Sequence, residues 1–182
     1  MRSPLDAGAL VDRFLAAADA DMCAYAIGFA PHAVRDVVGD DDEAFRTKLA
    51  SFWTWCSGRT DIAPALRGFG MRFHEEKLDL AWRLTQLERA LTVAGHVMRD
   101  FEVMDDLAAA TASHPQLVLR CVRLLINGAD GMRVYAWALD GHLRNIITAA
   151  IEHGDAPTIA EARAFASHLA GRGFDCLLDL AT

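Results

Sequence analysis

The histidine and acidic side chains are the first groups with which this chain could do chemistry, yet none has the spacing of a metal site. The run His74–Glu76 resembles the start of a zinc-protease helix, but leucine stands where the second histidine would be. Asp140 and His142 could pair across a short turn. A di-metal bundle needs a Glu-x-x-His pattern, which the acidic cluster lacks. That cluster, predicted to be a solvated face, comprises Asp100, Glu102, Asp105 and Asp106.

The possible nucleophiles and phosphate loops are equally incomplete. None of the serines stands in a G-x-S-x-G sequence. Cys176 follows His168 at short range, but its neighbours are apolar, which predicts a buried thiol rather than a reactive one. Gly68–Gly70 lacks the third glycine of a dinucleotide loop, and Gly128–Gly131 lacks the Lys-Ser/Thr of a P-loop. We therefore expect no catalytic residue, no metal and no cofactor. All four cysteines are expected to be small buried hydrophobes: Cys23, Cys56, Cys121 and Cys176.

Composition and charge narrow the class of protein further. The chain has 182 residues, 53% of them hydrophobic, and a formal net charge of −7. This hydrophobic content excludes a disordered chain. An acidic protein is a poor match for nucleic acid, unless a local arginine surface forms from Arg120, Arg123, Arg133 and Arg144. The absence of a signal core or a long apolar run predicts a cytoplasmic protein with no membrane span.

Apolar residues recur every three or four positions along the whole chain, which is the period of an amphipathic helix. The first predicted helix follows Ser3-Pro4 and reaches about Ala20, with Leu10, Phe14 and Leu15 facing inward. The next apolar stretch is expected to be interrupted at Pro31. The remaining helices are predicted over residues 40–56, 62–69, 76–93, 102–112, 117–126, 134–152, 158–170 and 174–180.

The spacing of these helices predicts the architecture. The centres of alternate helices lie about 36–43 residues apart, close to the period of HEAT and armadillo repeats. Short connections would make sequential helices antiparallel neighbours. The predicted fold is one all-α domain over residues 1–182: antiparallel hairpins in a right-handed, HEAT-like stack, with N-terminal helices in 1–58 and repeat-like helices in 60–182. A compact helical bundle is the alternative.

Two stretches carry a family resemblance. One is Leu66–Phe73 followed by Leu78–Trp82; the other runs from His114 through Gly131–Trp137 to Leu180. Together they resemble the C-terminal helical-repeat regions of large bacterial multidomain proteins, many linked to an NTPase and some to anti-phage systems. Members of that group tend to have an aromatic residue where Met71 and Met132 stand here, and a basic residue in place of Ala138. The resemblance implies a sensor or scaffold part, either detached from a larger polypeptide or acting as its own subunit.

Aromatic side chains are the remaining functional signal. Adjacent Phe52 and Trp53 cannot both point straight into one core, so one of them is expected to be partly exposed. Arginine and aromatic residues are enriched in binding hot spots. The predicted partner-binding residues are Trp53, Trp55, Arg133, Tyr135 and Trp137. An uncovered repeat edge would also expose apolar residues, with Phe14, Tyr25, Phe29 and Trp53 as candidates.

The sequence thus predicts a non-catalytic protein-interaction module. Its partner would be another protein or the rest of a larger chain, and a homo-oligomer is possible. A small helical bundle that binds a metal or another ligand, as an enzyme or a sensor, is the alternative function. It would require several histidine and acidic groups to converge in one pocket.

Overall fold

The structure, a computed structural model, describes residues 19–59, 62–128 and 132–181, with only the backbone for Arg72 and residues 132–140. This part of the chain is all-helical, as the apolar period predicts. In order, the elements are α1 (Ala20–Val38), α2 (Asp42–Ser57), a first 3-10 helix (Ala63–Arg72), α3 (Leu80–Ala94), α4 (Asp100–Ala110), α5 (Pro115–Asn127), α6 (Met132–His153), α7 (Ala156–Ala170) and a last 3-10 helix (Asp175–Leu180). The predicted first helix lies almost entirely outside the described residues.

Aspartates fix where several helices begin. In each case the carboxylate accepts a hydrogen bond from a backbone N–H of the first turn, which would otherwise lack a partner. The four capping residues are Asp19, Asp41, Asp79 and Asp155. At the other end, α3 stops at Gly95, whose left-handed φ of 76° suits a residue without a side chain.

Several helix boundaries differ from the sequence prediction. The helix predicted from Glu76 begins at Leu80, and the one predicted to end at Phe69 reaches Arg72. α1 begins at Ala20, where the first predicted helix was expected to end, and it continues through Pro31 instead of breaking there. A proline inside a helix costs about 3 kcal/mol because it removes a hydrogen bond and crowds the preceding turn. Pro31 is buried with Ile27 and Val34 on the same side of α1. Burial of each of these two aliphatic side chains stabilises the fold by roughly 1.5–3 kcal/mol, and together they outweigh the cost of the proline.

The buried residues form two cores that meet at α3. The N-terminal core lies between α1, α2, the first 3-10 helix and α3, and contains Phe45, Leu49 and Trp53. The C-terminal core contains apolar side chains from α3 to the last 3-10 helix, with Leu84 and Leu87 supplied by α3. Because Ala90 of the same helix faces the N-terminal core, α3 joins the two halves of the described chain.

The helices of the C-terminal half pack both on sequence neighbours, such as α5 on α6, and on alternate helices. α3 packs on α5, and α4 packs on both α5 and α6. α6 in turn packs on α7, which holds the last 3-10 helix. Sequential helices are therefore not always the closest neighbours, since α3 makes little contact with α4 across the described residues. Contacts between every second helix occur in repeat stacks and in bundles alike.

α1 lies unusually close to the first 3-10 helix, and glycine makes this approach possible. A Cβ atom on Gly68 would stand 2.0 Å from the carbonyl oxygen of Ala24. A Cβ on Gly28 would likewise stand 2.5 Å from the sulfur of Met71. Glycines on both helices thus bring their backbones together, and this contact sets the orientation of α1 on the rest of the protein.

Candidate interaction surface

The side of α1 that faces away from the N-terminal core is apolar, and no residue that the structure describes covers it. Met22, Tyr25, Phe29 and Val37 are 55%, 51%, 49% and 49% exposed. With exposed Ala33 between the last two, they follow one another at intervals of three or four residues and so share one face of the helix. We call these five residues the α1 stripe. A row of large apolar side chains in water is typical of a surface that binds something.

Contacts on the opposite side of α1 and at its N-terminal end hold the α1 stripe in a fixed orientation. The opposite side of α1 is buried, and Ala24 and Ile27 are almost inaccessible to solvent. At the N-terminal end, Arg67 of the first 3-10 helix forms an ion pair with Asp21. The backbone carbonyl of Arg67 also accepts a hydrogen bond from Met98 N at 2.8 Å. These contacts surround a shallow pocket of about 300 Å³ lined by Asp21, Tyr25, Arg67, His96 and Met98.

A three-residue ion network holds the C-terminal end of α1. Arg35 Nη1 donates to the Gly39 carbonyl at 2.9 Å and to Asp42 Oδ1 at 3.1 Å, and Lys77 Nζ donates to the same carboxylate at 2.5 Å. The hydrogen bond from Lys77, with that from Arg35, lowers the pKa of Asp42. Arg35 also lies over the ring of Phe45, 4.0 Å from its centroid. α1, α2 and the turn before α3 are thereby tied together.

The charge around the α1 stripe is negative. Asp19, Asp21, Asp36 and Asp40 are all exposed on or beside α1. Two nearby arginines are engaged by carboxylates: Arg35 of α1 pairs with Asp42, and Arg67 of the first 3-10 helix pairs with Asp21. The α1 stripe therefore has exposed aspartates near both of its ends.

Two of the predicted partner-binding residues prove to have different environments. Trp53 is only 2% exposed and stacks on Trp82, with ring centroids 6.0 Å apart, so the side chain belongs to the core and not to a contact surface. As expected, one of Phe52 and Trp53 is partly exposed, and this residue is Phe52. Trp55 is also half-buried; its ring stacks on Phe52 and lies 4.8 Å beneath the guanidinium of Arg59.

The other three predicted residues lie in the first half of α6. The backbone there is helical, but the side chains of Arg133, Tyr135 and Trp137 are outside the described part of the structure. Their role stays a prediction. Of the candidates for an exposed repeat edge, Tyr25 and Phe29 are at the surface. Met22 and Val37 were missed, although their spacing along one helix face was readable in the sequence.

The titratable residues singled out in the sequence are spread over several elements. His142 Nε2 lies 2.6 Å from Asp105 Oδ1, which links α6 to α4. The side chain of Asp140, the partner suggested by the sequence, lies outside the described part of the structure. Burial raises the pKa of neighbouring Asp106. His74 is exposed in the turn before α3. Across residues 19–59, 62–128 and 132–181, no group of three or more His, Cys, Asp or Glu side chains is placed to hold a metal ion.

The arginines of the possible basic surface are paired with acids where their side chains are described. Arg120 lies 3.3 Å from Glu88, and Arg123 pairs with Glu161. Arg144 binds both carboxylate oxygens of Asp179, at 2.7 and 2.6 Å. The charge of each of these guanidinium groups is therefore offset within the protein. This weakens the positive electrostatic potential that a surface needs to bind nucleic acid.

The cysteines behave as the sequence predicts, with one partial exception. Cys23, Cys56 and Cys121 are buried, whereas Cys176 is half-buried. Burial raises the pKa of Cys56 and of Cys121 to about 12. Because the thiolate is the reactive form, both thiols are suppressed as nucleophiles at neutral pH.

Alkylation of the native chain should therefore be selective. With iodoacetamide at pH 7.5, we expect Cys176 to be modified first, and Cys56 and Cys121 at least a hundredfold more slowly. Peptide mass spectrometry over a time course measures the rates, and the same reaction in guanidinium is the control in which all sites react alike. Rapid labelling of Cys56 in the native chain would contradict its placement in the core.

No protein-family model, curated protein or solved structure matches the chain. The likeness to bacterial helical-repeat regions consequently rests on the sequence motifs and stays a prediction. None of the described helices is both long and apolar enough to cross a membrane. The class defined by the described residues is an all-helical protein with a firmly held, uncovered apolar helix face.

Proposed function

We propose that this protein is a non-catalytic helical scaffold that binds a protein partner through the α1 stripe. The observation that carries the proposal is the row of half-exposed Met22, Tyr25 and Phe29 on a helix whose other side is locked into the core. Such preorganisation favours binding because little conformational entropy is lost on association. The packing of α3 to α7 is compatible with a repeat-like scaffold and with a compact helical bundle. The sequence resemblance adds a role as the sensor or regulatory part of a larger bacterial system.

The partner segment that fits this surface is an amphipathic helix with basic flanks. An apolar stripe on one helix is complementary to the apolar face of another, with anchors spaced at three and four residues. Exposed Asp19, Asp36 and Asp40 favour lysine or arginine on either side of that face. Tyr25 and Phe29 would be the dominant anchors, because aromatic residues in the centre of an interface contribute most of the binding energy.

Substitution of the two aromatic anchors, Tyr25 and Phe29, by serine tests the proposal. The chain is tagged and purified from its native host as wild type, as Tyr25→Ser/Phe29→Ser and as the control Val93→Ser/Leu178→Ser, which removes exposed apolar residues elsewhere. We expect at least a tenfold loss of a stoichiometric partner with the first variant alone. The bound segment, mapped by cross-linking, should be a helix with basic flanks. Equal retention by all three chains would overturn the proposal.

A further inference from the structure

We propose that the pocket at the N-terminal end of the α1 stripe binds one aromatic side chain of the partner helix that carries an N–H or O–H donor, a tryptophan or a tyrosine. This inference rests on the proposed function, because it names the residue type that would anchor the partner there. The pocket is lined by Asp21 and Tyr25 of α1, Arg67 of the first 3-10 helix, and His96 and Met98 of the segment between α3 and α4.

Backbone contacts hold the walls of this pocket together. The hydrogen bond from Met98 N to the carbonyl of Arg67 joins the segment after α3 to the first 3-10 helix. Gly70 permits an equally close approach, since a Cβ atom on it would stand 2.0 Å from the Met98 carbonyl oxygen. Val97, which lies between the two lining residues of this segment, is buried. The pocket is therefore preformed, and little conformational entropy is lost when a side chain fills it.

The pocket has a size and a position that suit a single side chain of a docked helix. Its volume of about 300 Å³ is at the small end of the range for ligand sites, which favours one ring over a larger cofactor. Tyr25 belongs both to the pocket lining and to the α1 stripe. A helix that lies on the stripe therefore passes beside the pocket and can place one of its side chains inside.

Three of the lining side chains favour an aromatic ring over an aliphatic group. The ring of Tyr25 can pair with a second ring in an edge-to-face or offset arrangement. The sulfur of Met98 gains from contact with a ring edge. The guanidinium of Arg67, whose side chain is only 21% exposed, is held by its ion pair with Asp21 and attracts the face of a π system. An aliphatic anchor would gain none of these contacts.

His96 adds a preference for a hydrogen-bond donor. Its Nδ1 lies 3.1 Å from the backbone carbonyl oxygen of Ala94. Because a carbonyl oxygen can only accept, Nδ1 carries the proton of the neutral ring, which leaves Nε2 as an acceptor. An indole N–H or a phenol O–H satisfies such an acceptor, whereas a phenylalanine ring would displace water from it without replacing the hydrogen bond. Tryptophan and tyrosine are therefore favoured over phenylalanine.

Titration of the full chain with a tryptophan analogue tests the pocket in the absence of a partner. The probes are N-acetyltryptophanamide and the same compound methylated on its indole nitrogen, which keeps the ring but lacks the donor. The NMR chemical shift of the Met98 methyl group reports binding. We expect the unmodified probe to bind roughly threefold more tightly or better, the effect of one modest hydrogen bond.

Two histidine variants show whether this preference comes from His96. His96→Phe should bind both probes equally, because the ring remains but the acceptor is lost. His153→Phe, at an exposed histidine near the end of α6, should keep the preference of the wild type. The absence of a Met98 shift with either probe, or equal affinity of the wild type for both, would overturn the inference.

Retention of the partner from the native host separates this inference from the proposed function. If both hold, His96→Phe should retain at least threefold less partner than His153→Phe, and the bound segment should contain a tryptophan or a tyrosine. Full retention by His96→Phe, with loss in Tyr25→Ser/Phe29→Ser, would refute the use of this pocket and leave the α1 stripe as the docking surface. Full retention by Tyr25→Ser/Phe29→Ser would refute the proposed function, and the partner's anchor with it, even if the probe binds.

Discussion

Gly68→Ala should destabilise the protein by about 3 kcal/mol, the upper part of the range for overpacking a tight contact. The added Cβ would stand 2.0 Å from the carbonyl oxygen of Ala24, and this neighbour is backbone that cannot rotate away. α1 must therefore move off the first 3-10 helix. Urea unfolding followed by circular dichroism measures the loss of free energy.

Gly58→Ala is the matched control for this substitution. Its Cβ would meet only the carbonyl oxygens of Thr54 and Trp55, both at an ordinary 3.6 Å. Its effect should stay within about 0.5 kcal/mol, as for most surface substitutions. If Gly68→Ala proved as harmless as Gly58→Ala, the close contact between α1 and the first 3-10 helix would be wrong, and with it the orientation of the α1 stripe.

Trp53→Ala is expected to cost about 3–5 kcal/mol, as for other large aromatic residues removed from a core. Its ring packs between Trp82 and Phe69, with centroid distances of 6.0 and 5.3 Å. The substitution would leave a cavity in the N-terminal core, beneath α1 and α2. Thermal and urea unfolding provide the measurement.

Trp55→Ala provides the comparison two positions further along α2. Because Trp55 is half-buried and its ring rests on Phe52 and under Arg59, its removal should cost only about 1 kcal/mol of area-dependent stabilisation. If Trp55→Ala lowered the free energy of unfolding more than Trp53→Ala, the structure's placement of Trp53 in the core and Trp55 nearer the surface would be contradicted.

The helix ends were predictable because their signals are local. Asp41 and Asp155 begin helices through their own carboxylates, and Gly95 and Gly154 follow the last turns as expected. The start of α3 was predicted at Glu76, whereas its cap is Asp79. The continuation of α1 through Pro31 was not predictable. Its reason is tertiary: the buried side of α1 gains more from packing on the first 3-10 helix than the proline costs.

The candidate surface could be predicted only in part, for a similar reason. Sequence places Phe52 and Trp53 next to each other and indicates that one is exposed, but only the position of Trp82 and Phe69 decides that Trp53 is inside. Conversely, the exposed row from Met22 to Val37 has the same period as a buried helix face. Which side of an apolar helix is covered depends on what packs against it, and a pattern alone does not contain that information.

Photo-cross-linking from position 29 is the most direct test of the central claim, that the α1 stripe is a docking surface. A photoreactive phenylalanine analogue is placed at Phe29 and, as the control, at Val93, an exposed apolar position on α3. In host cells, we predict products from position 29 that map to a helix with basic flanks in a partner. Position 93 should not give them. Identical products from both positions, or none from position 29 in a folded chain, would contradict the account.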